Sequence, residues 1–185
     1  MPYTRTSDIN IHYQRKGTGC PVLFIGGVGG DLRSKPNVFD TCLADSFDIL
    51  AFDQRGTGLT DKPDGTYTMA QYARDTEAVM DAVNWHSAHV VGVSFGGMVA
   101  QELALRSPQR VRSLVLCCTT AGGAGGSSYP IHELSGLSPA ERSHKMLAIG
   151  DNRYNETWQA EHPEETERML QEAAAGASPF LKEPG

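Results

Sequence analysis

The strongest constraint on this chain lies at residues 90–103, where the apolar run Val90-Val91-Gly92-Val93 halts at Ser94 and passes through Phe95-Gly96-Gly97 into Met98-Val99-Ala100-Gln101-Glu102-Leu103. A β-branched run followed at once by a helical pattern reads as a buried strand, a very tight turn and a helix. Ser94 sits at that corner. Gly92, Gly96 and Gly97 carry no Cβ, so the two backbones can approach without clash, and a serine held on such a strained corner presents its hydroxyl above the sheet. This is the pattern of a nucleophile elbow, with Ser94 as the candidate nucleophile.

The preceding chain supplies more strands. Ile9-Asn10-Ile11-His12-Tyr13 alternates apolar and polar residues, as expected of an edge or half-exposed antiparallel strand. Val22-Leu23-Phe24-Ile25 is a continuous apolar run ending at Gly26-Gly27-Val28-Gly29-Gly30, and Phe47 to Phe52 is another, ending at Asp53-Gln54-Arg55-Gly56-Thr57-Gly58. Asp53 is expected to accept backbone N–H bonds in that turn and Arg55 to pair nearby, both structural jobs. Thr68-Met69-Ala70-Gln71 has capping-box spacing and opens a helix expected to end near Trp85. Val111 to Cys118 is the next strand. Strand, helix and strand at this spacing form right-handed βαβ units with parallel strands, whose carboxyl ends collect ligands. Gly26–Gly30, Asp53, Ser94 and Thr119 are therefore expected along one sheet edge.

The glycine loop has a rival reading. Gly27-x-Gly29 after a strand, with Asp48 or Asp53 about twenty residues on, partly mimics a dinucleotide-binding fingerprint. Leu32 occupies the third glycine position, and Pro36 falls where the phosphate-binding helix would run, so the spacing fails where that motif is most demanding.

Taken together and in this order, Gly26–Gly30, Asp53–Gly58 and Gly92-Val93-Ser94-Phe95-Gly96-Gly97 resemble the oxyanion loop, the turn after the fourth strand and the elbow of the α/β-hydrolase fold family, cofactor-free esterases and lactonases among them. The resemblance covers roughly the first 120 residues well and the remainder loosely. It implies an α/β fold: a mostly parallel sheet with flanking helices as a core over 1–120, and the start of a helical cap over 121–185. It also implies acyl transfer through an acyl-enzyme on Ser94, with the backbone N–H groups of Phe95 and Val28 as the oxyanion hole and Gly27, Gly29, Gly92 and Gly96 forming the loops. The family often has histidine before the first of these glycines, where this chain has Gly26. Backbone contacts survive that difference, and the loop's rigidity is the open point.

Composition narrows the partners. The chain of 185 residues is 39% hydrophobic with a formal net charge of −6, enough for one sizeable core and without an electrostatic reason to bind nucleic acid or an anionic membrane. A small ester-like substrate is expected. Cys20, Cys42, Cys117 and Cys118 show no metal-ligand spacing and read as buried, reduced thiols. No His, Cys, Asp and Glu cluster implies a metal, and no organic cofactor is implied. Without a signal-like start or a run of membrane-spanning length, the expected location is cytoplasmic.

Beyond Thr120 the stretch Gly122-Gly123-Ala124-Gly125-Gly126-Ser127-Ser128 reads as a flexible link into helices, with Ser138-Pro139-Ala140-Glu141 opening one and Pro163-Glu164-Glu165 another that stops near Gly176. Tyr129, Met146, Tyr154 and Trp158 read as the core of that helical part. The family's triad order is Ser, then Asp or Glu, then His. Thr119-Thr120-Ala121 offers no carboxylate after the last strand, and none of the six histidines, His12, His86, His89, His132, His144 and His162, stands where a base is expected. The economical expectation is a chain truncated before the triad's acid and histidine, leaving an apolar sheet edge that favours self-association. Three readings follow: a serine hydrolase of a small ester or lactone, a cofactor-free haloperoxidase or perhydrolase on the same scaffold, and a catalytically silent fragment.

Overall fold

The computed structural model describes residues 2–122 and 129–176, which form two compact units on either side of that gap. The glycine and serine link expected at 122–128 lies outside the described residues except for Gly122, as does everything after Gly176.

The first unit is a six-stranded sheet in the order β1-β2-β4-β3-β5-β6, built from β1 (Tyr3–Arg5), β2 (Asn10–Lys16), β3 (Cys20–Ile25), β4 (Phe47–Phe52), β5 (Ala88–Val93) and β6 (Val111–Cys117). The pairs β3–β4, β3–β5 and β5–β6 are parallel, and β1–β2 and β2–β4 are antiparallel. Three helices belong to this unit: the single turn α1 (Leu43–Ser46), α2 (Met69–Ala82) and α3 (Phe95–Arg106). The mostly parallel α/β architecture expected from the sequence is thus what the chain adopts.

Burial follows pattern. Leu23, Ile25, Leu50, Val90, Val99 and Leu103 are sealed in one cluster with Val79 and Met80 of α2, while Val38, Phe39, Ala44, Ile49 and Ala51 form a second cluster. Helix α2 opens on the Thr68 capping box, in which the hydroxyl accepts from the Gln71 N–H and the Gln71 side chain accepts in return. It stops at Ala82, before the expected Trp85, because Asn84 turns the chain away with φ of 59°.

Of the two alternatives expected for β2 the half-exposed antiparallel strand is the one found: β1 pairs along its outer side, so it is not an edge, and His12 on it is fully buried. Two expectations are corrected. None of the four cysteines is buried; Cys20, Cys42 and Cys118 are exposed and Cys117 is half-buried. Each lies at the start or end of an element or, for Cys117, on the outermost strand, where an apolar side chain finds no second layer. In the second unit, Tyr129 and Met146 are exposed and do not form a core.

That second unit comprises α4 (Pro139–Gly150), α5 (Glu156–Glu161) and α6 (Pro163–Gly176), preceded by a short 3-10 segment at Ile131–Gly136. Ser138 and Glu141 close the expected capping box of α4. Trp158 packs between Tyr154, edge-on at 4.9 Å, and His162, stacked at 4.5 Å.

Candidate active site

The carboxyl ends of β3, β4, β5 and β6 carry the Gly26–Gly30 loop, Asp53, Ser94 and Thr119 respectively, so the parallel register brings the expected segments to one edge. Ser94 joins β5 to α3 with φ of 52° and ψ of −119°, in a region that side chains other than glycine seldom adopt. Two hydrogen bonds hold that corner: the Ser94 N–H donates to the Cys117 carbonyl at 2.9 Å, and the Gly97 N–H donates to the Ser94 carbonyl at 2.9 Å.

The elbow glycines are there for space. A methyl group on Gly96 would lie 2.1 Å from the Ile25 carbonyl oxygen and 2.4 Å from that of Gly26, and one on Gly92 would lie 2.6 Å from the Gly96 carbonyl oxygen. Helix α3 thereby starts directly against the end of β3. The Phe95 N–H opens α3, and a first-turn amide has no acceptor within its own helix. The Phe95 ring meets Tyr72 edge-on at 4.9 Å, which sets the side chain into the core while the amide stays at the corner.

The glycine loop comes next to the serine from the neighbouring strand. A Cβ built on Gly27 would be 3.4 Å from Ser94 Cβ and 3.9 Å from its Oγ, ordinary contact distances that put the loop directly beside the hydroxyl. The Gly30 N–H donates to the Gly27 carbonyl at 3.2 Å, and Gly29 takes φ of 69°, which folds the loop over Val28. Val28 itself is 65% exposed, with its apolar side chain out in solvent. Asp31 is buried with its carboxylate on the Arg33 guanidinium at 2.8 Å; burial works to raise its pKa, and the pairing more than offsets this to hold it below the usual carboxylate range.

Asp53 does what the sequence suggests and more. Its carboxylate accepts the N–H of Leu32 at 2.8 Å and of Leu59 at 2.9 Å, and it also meets His12 Nδ1 at 2.8 Å in a fully buried pair. Arg55 grips Asp75 through two bonds, at 2.7 and 2.9 Å. The His12 contact escapes a sequence reading because 41 residues separate the partners; only the β2–β4 register, with Tyr13 opposite Phe52, brings them together.

Three of the other histidines make local contacts. His89 Nδ1 meets Ser113 Oγ at 2.7 Å across β5 and β6, near the strand ends remote from Ser94. In the second unit His144 meets Gln159 Oε1 at 2.8 Å, and His162 meets the Trp158 carbonyl at 2.9 Å. Among the described residues, no histidine or carboxylate is hydrogen-bonded to Ser94 Oγ, and no group of His, Cys, Asp and Glu is placed to hold a metal ion. No helix of the described residues is long and apolar enough to cross a membrane.

A mostly parallel sheet with a strained serine corner, a glycine loop beside it and helices on its flanks defines an α/β scaffold. The sequence profile of the alpha/beta hydrolase fold matches residues 21–164, and the chain belongs to that family. It is 36% identical over 117 residues to a protein of Azorhizobium caulinodans provisionally named the carbamate hydrolase RutD, an alignment covering 63% of this chain and 43% of that one. It is 41% identical over 112 residues to a Mycobacterium tuberculosis protein provisionally named the non-heme bromoperoxidase BpoC, covering 60% of this chain and 42% of that one. Among solved structures it resembles Est816, an N-acyl homoserine lactone degrading enzyme, with TM-score 0.66 and 25% identity, over 94% of this chain and 65% of that chain. The chain thus spans less than half the length of these curated relatives and just under two thirds of that solved structure.

Proposed function

We propose that the chain is a serine hydrolase of small esters or lactones, working through an acyl-enzyme on Ser94. The observation that carries this reading is the Ser94 corner, a non-glycine residue at φ of 52° between strand and helix, with the Gly27 backbone directly beside its side chain. In this reading Ser94 Oγ attacks the substrate carbonyl carbon, its proton passes to a base, and the carbonyl oxygen takes the negative charge. The amides of Phe95 and Val28 receive that charge; one such donor is worth about 3 kcal/mol of barrier. Collapse breaks the ester bond, the proton held by the base passes to the leaving oxygen to release the alcohol, and the acyl group stays on Ser94. Water, giving one proton to the base, then attacks the acyl carbon, and that proton passes to Ser94 Oγ as the acid leaves.

The likeness to a lactone-degrading enzyme and to a hydrolase of carbamates supports acyl transfer as the reaction class and leaves the acyl group undefined. Treating the 185-residue chain with a fluorophosphonate and mapping the adduct by peptide mass spectrometry tests the proposal. We expect phosphonylation confined to Ser94 and abolished in Ser94→Ala. A folded sample that stays unlabelled establishes instead the silent reading, an elbow without a working base.

The likeness to BpoC favours a second reading, in which peroxide replaces water at the acyl-enzyme and gives a peracid able to oxidise halide. Halogenation of monochlorodimedone, run beside ester hydrolysis, separates the two; activity in the hydrolysis assay alone removes the perhydrolase.

A further inference from the structure

The loop beside Ser94 is moored at both ends by two consecutive residues of the turn after β4. At its far end the Leu32 N–H donates to Asp53 at 2.8 Å; at its near end the Gln54 side-chain amide donates through Nε2 to the Gly26 carbonyl at 2.7 Å. Asp53 has several partners and anchors the turn after β4 as a whole. Gln54 differs. It is only 4% exposed, its Nε2 makes this one side-chain hydrogen bond, and its Oε1 is buried without a partner among the described residues.

With its Oε1 unpaired among the described residues, the Gln54 amide is tied to its surroundings through the bond to the Gly26 carbonyl. That bond fixes the Gly26 carbonyl, the same oxygen against which the Gly96 backbone of the elbow is packed. Orientation of the Gly26–Gly27 peptide then propagates through the Gly27–Gly30 turn to the Val28 amide. Glycine at 26 and 27 leaves the backbone free to rotate, and the residues around Gly26 leave its Cβ position open, so a side chain from outside the loop has to do the holding.

We infer that Gln54 is a positioning residue: its amide latches the Gly26 carbonyl and thereby aims the Val28 N–H at the charge that develops on the substrate carbonyl. The latch itself stands on geometry, and its catalytic consequence rests on the Ser94 reading above.

The test uses the full 185-residue chain with Gln54→Met, which keeps the length of the side chain and removes the donor, and Gln54→Glu, which keeps the shape and replaces the donating NH2 by oxygen. Three readouts are taken: amide hydrogen exchange of the segment 26–32, the rate of fluorophosphonate labelling of Ser94, and the melting temperature. We expect the exchange of 26–32 to rise about tenfold in both variants while β3 and β5 exchange as before. Labelling should slow by about tenfold or more, in line with the cost of a small misplacement of a reacting group. The melting temperature of the methionine variant should fall by a few degrees at most, because the Gly26 carbonyl loses its donor while the unpaired Oε1 is removed with it. Unchanged exchange of 26–32 in both variants overturns the latch, and faster exchange with unaltered labelling overturns its catalytic role. A wild-type chain that is folded yet unlabelled overturns the Ser94 reading and with it the catalytic role; the exchange data then decide the latch by themselves.

Discussion

Arg55 joins stretches of chain that lie far apart in sequence. Its guanidinium clasps Asp75 in α2 and, through Nη1 at 2.9 Å, Asp8 in the segment between β1 and β2, with the Tyr67 ring against it at 5.6 Å. The hydrogen bonds to Asp75 raise the Arg55 pKa further, so it stays charged throughout the working range. Asp8 in turn is held below the usual carboxylate range, first by its bond from Arg55 and then by that from Thr6. A depressed folded pKa means stability that is complete above the unfolded value and is lost as pH falls through the folded one. Asp8 is half exposed, so the amount is small, under about 1 kcal/mol after solvent screening. Urea midpoints for wild type and Asp8→Asn should therefore differ at about pH 7, and the gap should close as the pH is lowered from about 4 through the depressed folded pKa of Asp8; a gap that persists however acid the solution would contradict the assignment.

The contact between α3 and the end of β3 makes a sharper demand. Gly96→Ala forces a methyl group to within 2.1 Å of the Ile25 carbonyl, whereas Gly26→Ala meets nothing within 4 Å and requires no left-handed backbone. We expect the first to cost about 2 kcal/mol or more in urea denaturation and the second to stay within about 0.5 kcal/mol of wild type. Equal effects would mean that the elbow yields more readily than its packing implies. This element was readable in the sequence because everything it needs lies within a few consecutive residues, as with the capping boxes at Thr68 and Ser138. What was not readable is lateral. Gln54 and Gly26 are 28 residues apart and His12 and Asp53 are 41, and both contacts depend on a strand order that local periodicity does not encode. A glutamine two residues beyond the end of β4 carried no mark of its role until the neighbouring strand was known. The expectation of buried thiols failed because the cysteines fall at or beside the ends of elements.

For the whole molecule, the outermost strand on the parallel side is the feature that sets behaviour. β6 is the last strand of the sheet among the described residues, and Val115 and Leu116 on it are 48% and 43% exposed. Its sequence, Val111-Arg112-Ser113-Leu114-Val115-Leu116-Cys117, reads like an interior strand, yet its outer side shows backbone donors and acceptors to solvent. Sedimentation of the 185-residue chain should show concentration-dependent association, and Val115→Lys should reduce it without loss of the far-ultraviolet circular dichroism spectrum. A wild-type chain that sediments as a monomer at every concentration would rule this out. At the opposite side of the sheet, β4 is inserted between β2 and β3, although both precede it in the chain. A ribosome therefore delivers β2 and β3 before the strand that separates them exists. The nascent chain has to keep a strand-wide slot open until Phe52 has emerged, and any premature pairing of β2 with β3 has to be undone before the bed beneath Ser94 can form.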